Sequence, residues 1–282
     1  MRLATGLAAG RTVFGPIIDD ELCDIGAGGP WPTLADALGD DQRAAVDRAA
    51  AMAPRHVLAD LELLPPIPQP HRILCVGLNY LEHAKESDRA PADGEYPIIF
   101  TRFISSIVGH CSPIVRPTAS TSFDYEGELA VVIATPVRSL PRRRAHEAIA
   151  GYSCFMDGTL RDFQRHTTQF TAGKNFDRSG SFGPWIVTRD ECDLGTTVLS
   201  TRVSGETLQS VQVSKMVHGI PELIEYCSSF TTLEPGDVIA TGTPGGVGYA
   251  RTPPRWLVPG DVVEVDITGI GVLSNEVVAD GP

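Results

Sequence analysis

The run Asp124-Tyr125-Glu126-Gly127-Glu128-Leu129-Ala130-Val131-Val132-Ile133 sets two carboxylates at the mouth of an uninterrupted apolar strand. Side chains alternate across a strand, so Glu126 and Glu128 point the same way. The apolar stretch from Leu129 to Ile133 is the pattern of a strand buried on both faces. Two carboxylates at the end of such a strand repel each other and lose hydration. They are tolerable when a cation neutralises them or when the site stays wet. All-oxygen ligation suits Mg²⁺, Mn²⁺ or Ca²⁺ rather than zinc. The alternative is an exposed edge face on which both are simply solvated.

Downstream, Ser153-Cys154-Phe155-Met156-Asp157-Gly158 places a third carboxylate, Asp157, at the end of an apolar element. Arg161 and Gln164 follow, three apart, and share a face on a helical turn. The Arg161-Asp162 neighbours also read as an ordinary surface ion pair. Upstream, His83 and Glu86 lie at i, i+3 in Tyr80-Leu81-Glu82-His83-Ala84-Lys85-Glu86. On a helix, a carboxylate holding one imidazole nitrogen leaves the other free for proton transfer. The competing reading is a solvated charge ladder. Lys174, in Gly173-Lys174-Asn175-Phe176, stands apart from charge runs. It is either a fixed ammonium for a developing oxyanion or a plain surface lysine. Thr241-Gly242-Thr243-Pro244-Gly245-Gly246-Val247-Gly248 follows a short strand and lacks both the Walker lysine and the GxGxxG order. It reads as a loop whose backbone approaches a ligand closely, or as a structural turn. Arg142-Arg143-Arg144 reads as a solvated helix start.

Around these motifs the chain is rich in strands. RILCVGLNY, PIIFTRF, SPIVRP, SGSFGPWIVT, TTVLSTRVSG, DVIATGTPG and DVVEVDITGIGVLSNEVV all carry strand patterns. Helices are expected over YLEHAKES, RRRAHEAIAGYS and SKMVHGIPELIEYCSSF. The absence of βα alternation disfavours Rossmann and TIM-barrel folds. Residues 1–69 read as a separate small unit of hairpins and one helix, with Thr33 as N-cap. The proline-rich LPPIPQPHR closes it as a linker or extended crossing, so residues 70–282 form the second unit. SDRAPADGEYP is polar and broken by Pro and Gly, which predicts a mobile lid over residues 80–96 carrying His83 and Glu86.

The formal net charge of −12 disfavours nucleic acid and anionic lipid as partners. An anionic substrate then needs local positive charge, from a bound metal or a few placed Arg and Lys. No apolar run reaches membrane-spanning length, and the N-terminus has no stretch of signal-peptide length. The six cysteines are scattered without a CxxC pair. They read as reduced thiols of a cytoplasmic protein.

Taken in order, CVGLNYLEHAKE, DYEGELAVVI, DGTLRDFQ, GKNF, FGPWIVT and LEPGDVIATGTPGGVG resemble the blocks of the fumarylacetoacetate hydrolase family over about residues 70 to 280. The resemblance implies a mainly β (α+β) fold with a rolled mixed sheet and few helices, beside a small β-rich N-terminal domain. It implies Glu126, Glu128 and Asp157 as ligands of Mg²⁺ or Mn²⁺, and His83 with Glu86 as a water-activating dyad. Lys174 and Gln164 become oxyanion partners, Arg161 a substrate ligand or organiser, and Thr241, Gly242 and Thr243 substrate-binding backbone. It also implies a homodimer. Many members carry Asn-Asp-Val-Ser-Ala-Arg-Asp where this chain has Met156-Asp157-Gly158-Thr159-Leu160-Arg161-Asp162, a departure that bears on substrate identity. The expected reaction is hydrolytic C–C cleavage of an acylpyruvate or related 2,4-dioxo acid. Decarboxylation of oxaloacetate, isomerisation of a 2-oxo acid, and non-catalytic binding of a metal or small molecule are the rivals.

Overall fold

A computed structural model describes residues 1–87 and 96–281. Its centre is the Gly127–Ile133 strand, every residue of which is buried. Strand Ile149–Met156 lies antiparallel on one side and Val238–Ala240 antiparallel on the other. These belong to a 12-stranded sheet. Beyond Val238–Ala240 the sheet continues through Ile73–Gly77, in parallel, to Ile98–Thr101. In the other direction it runs through Gly180–Thr188 to Arg2–Ala8, Arg11–Ile18, Glu21–Cys23 and Arg55–Val57. A second, 5-stranded sheet is built from Glu206–Gln212, Val198–Val203, Val262–Ile267, Gly271–Ala279 and Ile114–Arg116. The fold is a mixed, sheet-dominated α+β architecture with few helices, as the sequence pattern requires.

The period of two along the central strand divides the core. Leu129, Val131 and Ile133 join the cluster that holds Leu199, Val263 and Val265 of the second sheet and Leu223 and Ile224 of the Ile220–Phe230 helix. Ala130 and Val132 face the opposite way, into a cluster with Trp31, Val46 and Ala50 of the N-terminal segment. The apolar run therefore has no polar face because neither side of it meets water.

The N-terminal hairpins form as the sequence predicts. Ala9-Gly10 and Asp19-Asp20 turn with positive φ at both residues, the backbone that two-residue hairpins favour. The proline-rich crossing is tied down by the Thr5 hydroxyl, which donates to the Pro66 carbonyl at 2.7 Å. The first strand pairs with Gly180–Thr188 through Arg2↔Val187 and Leu3↔Ile186, so the sheet runs through residues from both sides of this crossing.

Three helix expectations are corrected. RRRAHEAIAGYS forms a 3-10 turn over Arg142–Ala148 and then enters the Ile149–Met156 strand. A side chain at Gly151 would collide with the Val187 carbonyl, so this segment is shaped for close strand packing. The expected helix from Ser214 begins only at Ile220, after Gly219 and with Pro221 in its first turn. The N-terminal helix spans Arg43–Met52 with Gln42 at its N-cap position, so Thr33 does not cap it. The Thr33 amide and hydroxyl donate instead to Asp36 Oδ2 at 2.9 and 2.7 Å. The strand Glu206–Gln212 carries too little apolar alternation to be read from sequence. It forms because Val198–Val203 offers it an antiparallel partner.

Gly127, between the two glutamates, faces the second sheet. A Cβ there would strike the Thr201 hydroxyl and lie 3.4 Å from Val265 Cγ1. Gly127→Ala should lower the unfolding free energy by about 1–3 kcal/mol through overpacking. Adding Thr201→Ala should recover most of that loss, because Thr201 Oγ1 is buried without a hydrogen-bond partner among the described residues and its removal costs little. Urea unfolding of the single and double variants measures this. Losses that simply add would place the strain elsewhere.

Candidate metal centre and its cavity

Strand pairing brings the three carboxylates together. Gly127 is registered against Met156, so the residues just outside the two strands, Glu126 and Asp157, become neighbours. The Asp157 amide donates to the Glu126 carbonyl at 2.8 Å. Glu128 lies one residue inside the strand, on the same face as Glu126. One ligand oxygen from each of Glu126, Glu128 and Asp157 lies within 4.8 Å of the others. All three residues are buried.

Cations surround two of the three. Lys174, at the end of the Thr171–Lys174 turn, donates to Glu126 Oε2 and, at 2.6 Å, to Asp157 Oδ2. Arg161 Nη2 lies 2.7 Å from Glu126 Oε1, and its Nε donates to Asp124 Oδ2 at 2.7 Å. Arg102 Nη1 donates to Asp157 Oδ1 at 2.6 Å, and its other guanidinium nitrogens are held by Ser106 and Ser179. Burial alone would raise the Glu126 carboxyl, but the Lys174 and Arg161 charges override it and hold it down at about 2. Burial likewise opposes the Lys174 ammonium, which Asp157 and Glu126 nonetheless push upward.

Glu128 is different. Among the described residues it has no cationic partner; its Oε2 accepts from the Gly242 amide at 2.8 Å. Burial, and then the charges of Asp157 and Glu126, push its carboxyl well above the ordinary range. The cluster thus lacks one cation's worth of compensation at Glu128, in a donor set made wholly of oxygen. That is the environment a hard divalent ion relieves.

The Gly-rich loop after Val238–Ala240 turns its amides toward the protein's own carboxylates. Gly242 serves Glu128, Gly246 donates to Glu86 Oε1 at 2.7 Å, and Gly248 donates to Asp124 Oδ1 at 2.7 Å. Gly242 and Gly246 have φ of 99° and 98°, a region that disfavours side chains. A Cβ at either would also meet neighbouring atoms, Asn79 Cβ in one case and the Leu208 carbonyl in the other. The Thr241 hydroxyl donates to the Leu129 carbonyl at 2.9 Å and the Thr243 hydroxyl to the Gly127 carbonyl at 3.0 Å. Of Thr241, Gly242 and Thr243, only Thr243 lines the adjoining cavity.

That cavity measures about 340 Å³ and is lined by His83, Glu126, Glu128, Arg161, Gln164 and Lys174, among others. His83 sits on the Leu81–Glu86 helix, buried, with Nδ1 3.4 Å from Glu86 Oε2. The Gly246 amide fixes the other oxygen of Glu86, so the dyad and the carboxylate cluster share one loop. Gln164 Oε1 accepts from Arg161 Nη1 at 3.0 Å. The structure therefore brings His83, Lys174, Arg161 and Gln164 to the carboxylate cluster, with Glu86 directly behind His83. Residues 88–95 of the expected lid lie outside the described residues.

Sequence reading passed over three residues that organise the site. Arg102, the one charge in the apolar PIIFTRF, is buried against Asp157; that lone charge between Thr101 and Phe103 was its only signal. Asp124 anchors both Arg161 and the Gly248 and Tyr249 amides. Asn79 bridges the Thr241 carbonyl and the His218 backbone.

Comparison with known proteins agrees with this architecture. The profile described as fumarylacetoacetate (FAA) hydrolase C-terminal matches residues 72–278. An oxaloacetate tautomerase, YisK, of Bacillus subtilis is 36% identical over 302 residues, covering 98% of this chain and 100% of its own. The solved structure of a fumarylacetoacetate hydrolase from Exiguobacterium antarcticum is 38% identical, with a TM-score of 0.87 and coverage of 99% and 100%. A maleylpyruvate hydrolase from Sphingobium sp. SYK-6, solved in complex with manganese(II) ion and pyruvate, is 30% identical, with a TM-score of 0.81 and coverage of 100% of both chains. With the matched profile spanning most of its length, this chain belongs to the fumarylacetoacetate hydrolase family.

Proposed function

We propose that this chain is an Mg²⁺- or Mn²⁺-dependent enzyme that interconverts the keto and enol forms of a small 2-oxo acid of the oxaloacetate kind. The observation that carries the reading is one cavity lined both by His83, which Glu86 backs, and by Glu126 and Glu128 of the carboxylate cluster. Full-length similarity to a protein named oxaloacetate tautomerase supports it. Glu126, Glu128 and Asp157 would hold the ion, which when bound supplies a Lewis acid for the 2-oxo oxygen.

The remaining chemistry belongs to the chain. Tautomerisation takes a proton from the carbon next to the 2-oxo group and returns one to oxygen. With Nδ1 turned to Glu86, His83 presents Nε2 as the exchanging nitrogen. Glu86, pinned by Gly246, keeps the ring oriented. Lys174 and Arg161 hold Glu126 ionised, and Lys174 and Arg102 fix Asp157 in place. Gln164, its carbonyl oxygen fixed by Arg161, is left with its amide NH₂ as the donor for a substrate oxygen.

A second reading is hydrolytic cleavage of an acylpyruvate, with the same dyad activating water. It is favoured by likeness to the maleylpyruvate hydrolase solved with manganese and pyruvate. The two separate on products. Tautomerisation consumes the oxaloacetate enol absorbance without releasing a fragment, whereas hydrolysis of acetylpyruvate liberates pyruvate.

Two outcomes follow. In enol-decay assays with Mn²⁺, His83→Ala should lower kcat by about 10²- to 10⁴-fold while oxalate binding persists. Undiminished decay in that variant, or wild-type decay unaffected by EDTA, would sink the reading, and faster turnover of acetylpyruvate than of oxaloacetate would put the hydrolase in its place. The second outcome concerns the ion itself. Because the Glu128 carboxyl is pushed up, it holds its proton in the cation-free state to higher pH than an ordinary carboxylate. Binding Mn²⁺ should then release about one proton and tighten as pH rises through that raised value. Calorimetry in buffers of different ionisation enthalpy counts the proton. Glu128→Gln should abolish the release and weaken binding; a release unchanged in that variant would contradict the assignment.

A further inference from the structure

Three cationic side chains beside His83 line the cavity, and they are not equivalent. Lys174 is spent on Glu126 and Asp157, and Arg161 on Asp124 and Glu126. Arg165 is exposed, and its guanidinium has no carboxylate partner and no side-chain hydrogen bond among the described residues. It lies instead over the Tyr249 ring, 4.8 Å from the centroid, while the Arg161 guanidinium lies 4.6 Å from the same centroid. Tyr249 also lines the cavity, and its backbone amide is fixed to Asp124 at 3.1 Å.

This arrangement orders the cavity from inside to out. The carboxylate cluster and its committed cations form the deep end. Arg161 links that end to Tyr249, and Tyr249 links it to Arg165 at the exposed end. Stacking on an aromatic face orients a guanidinium without using its N–H fork, so the donors stay available. A planar fork with no partner suits a carboxylate, which it can take with two parallel hydrogen bonds. The whole chain carries a net charge of −12, so an anion approaching the cavity meets general repulsion that a local unpaired cation offsets.

We infer that Arg165 is a specificity-determining residue: it binds the second, distal carboxylate of a short 2-oxo dicarboxylic acid whose 2-oxo acid end lies at the carboxylate cluster. The inference rests on the function proposed above and adds to it the substrate class, dicarboxylate over monocarboxylate. Tyr249 acts as the positioning surface that keeps the guanidinium at the mouth.

The test uses the Mn²⁺-loaded full chain and two probes of equal carbon number, oxaloacetate and 2-oxobutyrate, with dissociation constants measured by calorimetry in wild type, Arg165→Gln and Arg165→Lys. Wild type should prefer oxaloacetate. Arg165→Gln should weaken oxaloacetate about tenfold or more, leave 2-oxobutyrate within about twofold, and so erase the preference; tenfold corresponds to roughly 1.4 kcal/mol, within reach of one charged hydrogen bond. Arg165→Lys should restore part of it. The wild-type preference should also shrink as salt rises, because the group is exposed. Equal weakening of both probes in Arg165→Gln, or no change in either, overturns the role of Arg165 while leaving the 2-oxo acid reading in place. Failure of wild type to bind either probe overturns that reading and the inference with it.

Discussion

Three carboxylates held within 4.8 Å of each other, all out of water, are the constraint around which this structure is arranged. Two like charges at about 4 Å repel by about 4 kcal/mol even at an effective dielectric of about 20. Desolvation adds to that cost. The protein meets it with Lys174, Arg161 and Arg102, each buried and each held by more than one contact. Glu128 remains outside that compensation. The imbalance is local, and it marks where an external cation contributes most.

The same constraint explains features far along the chain. Antiparallel register places Glu126 beside Asp157, and no local sequence rule could do so. Glycine at 127 lets the second sheet close over the strand that carries the cluster. Glycines at 242 and 246 allow a loop to turn its amides inward, onto Glu128 and Glu86. That loop joins the carboxylate cluster to the His83–Glu86 pair, because one short backbone segment supports a carboxylate of each.

Proteins named as tautomerase, isomerase and hydrolase are all similar to this chain, so the fold by itself does not fix the reaction. In this chain the cavity beside the carboxylate cluster is lined by His83, which Glu86 backs, and by Arg161, Tyr249 and Arg165, whose guanidiniums lie over the one ring.

Local pattern was enough to read the strand-rich class, the burial of Leu129 to Ile133 on both faces, and the shared direction of Glu126 and Glu128. Each follows from the period of two in side-chain direction and from the run of apolar residues. Asp157 at the end of an apolar element, and His83 with Glu86 as a helical pair, were legible for the same reason, since both readings need only neighbouring residues. What these groups touch was settled by chain segments that meet only on folding. Lys174 binds Glu126 and Asp157, Arg102 reaches across to Asp157, and Glu128, without a cationic partner among the described residues, takes the Gly242 amide; these contacts join residues 17 to 114 positions apart in the chain. The strand at Ile149–Met156 replaced part of an expected helix on the same grounds. Its buried place between two partner strands outweighed the local helix propensity of Ala145, Ala148 and Ala150, a preference worth only tenths of a kcal/mol per residue.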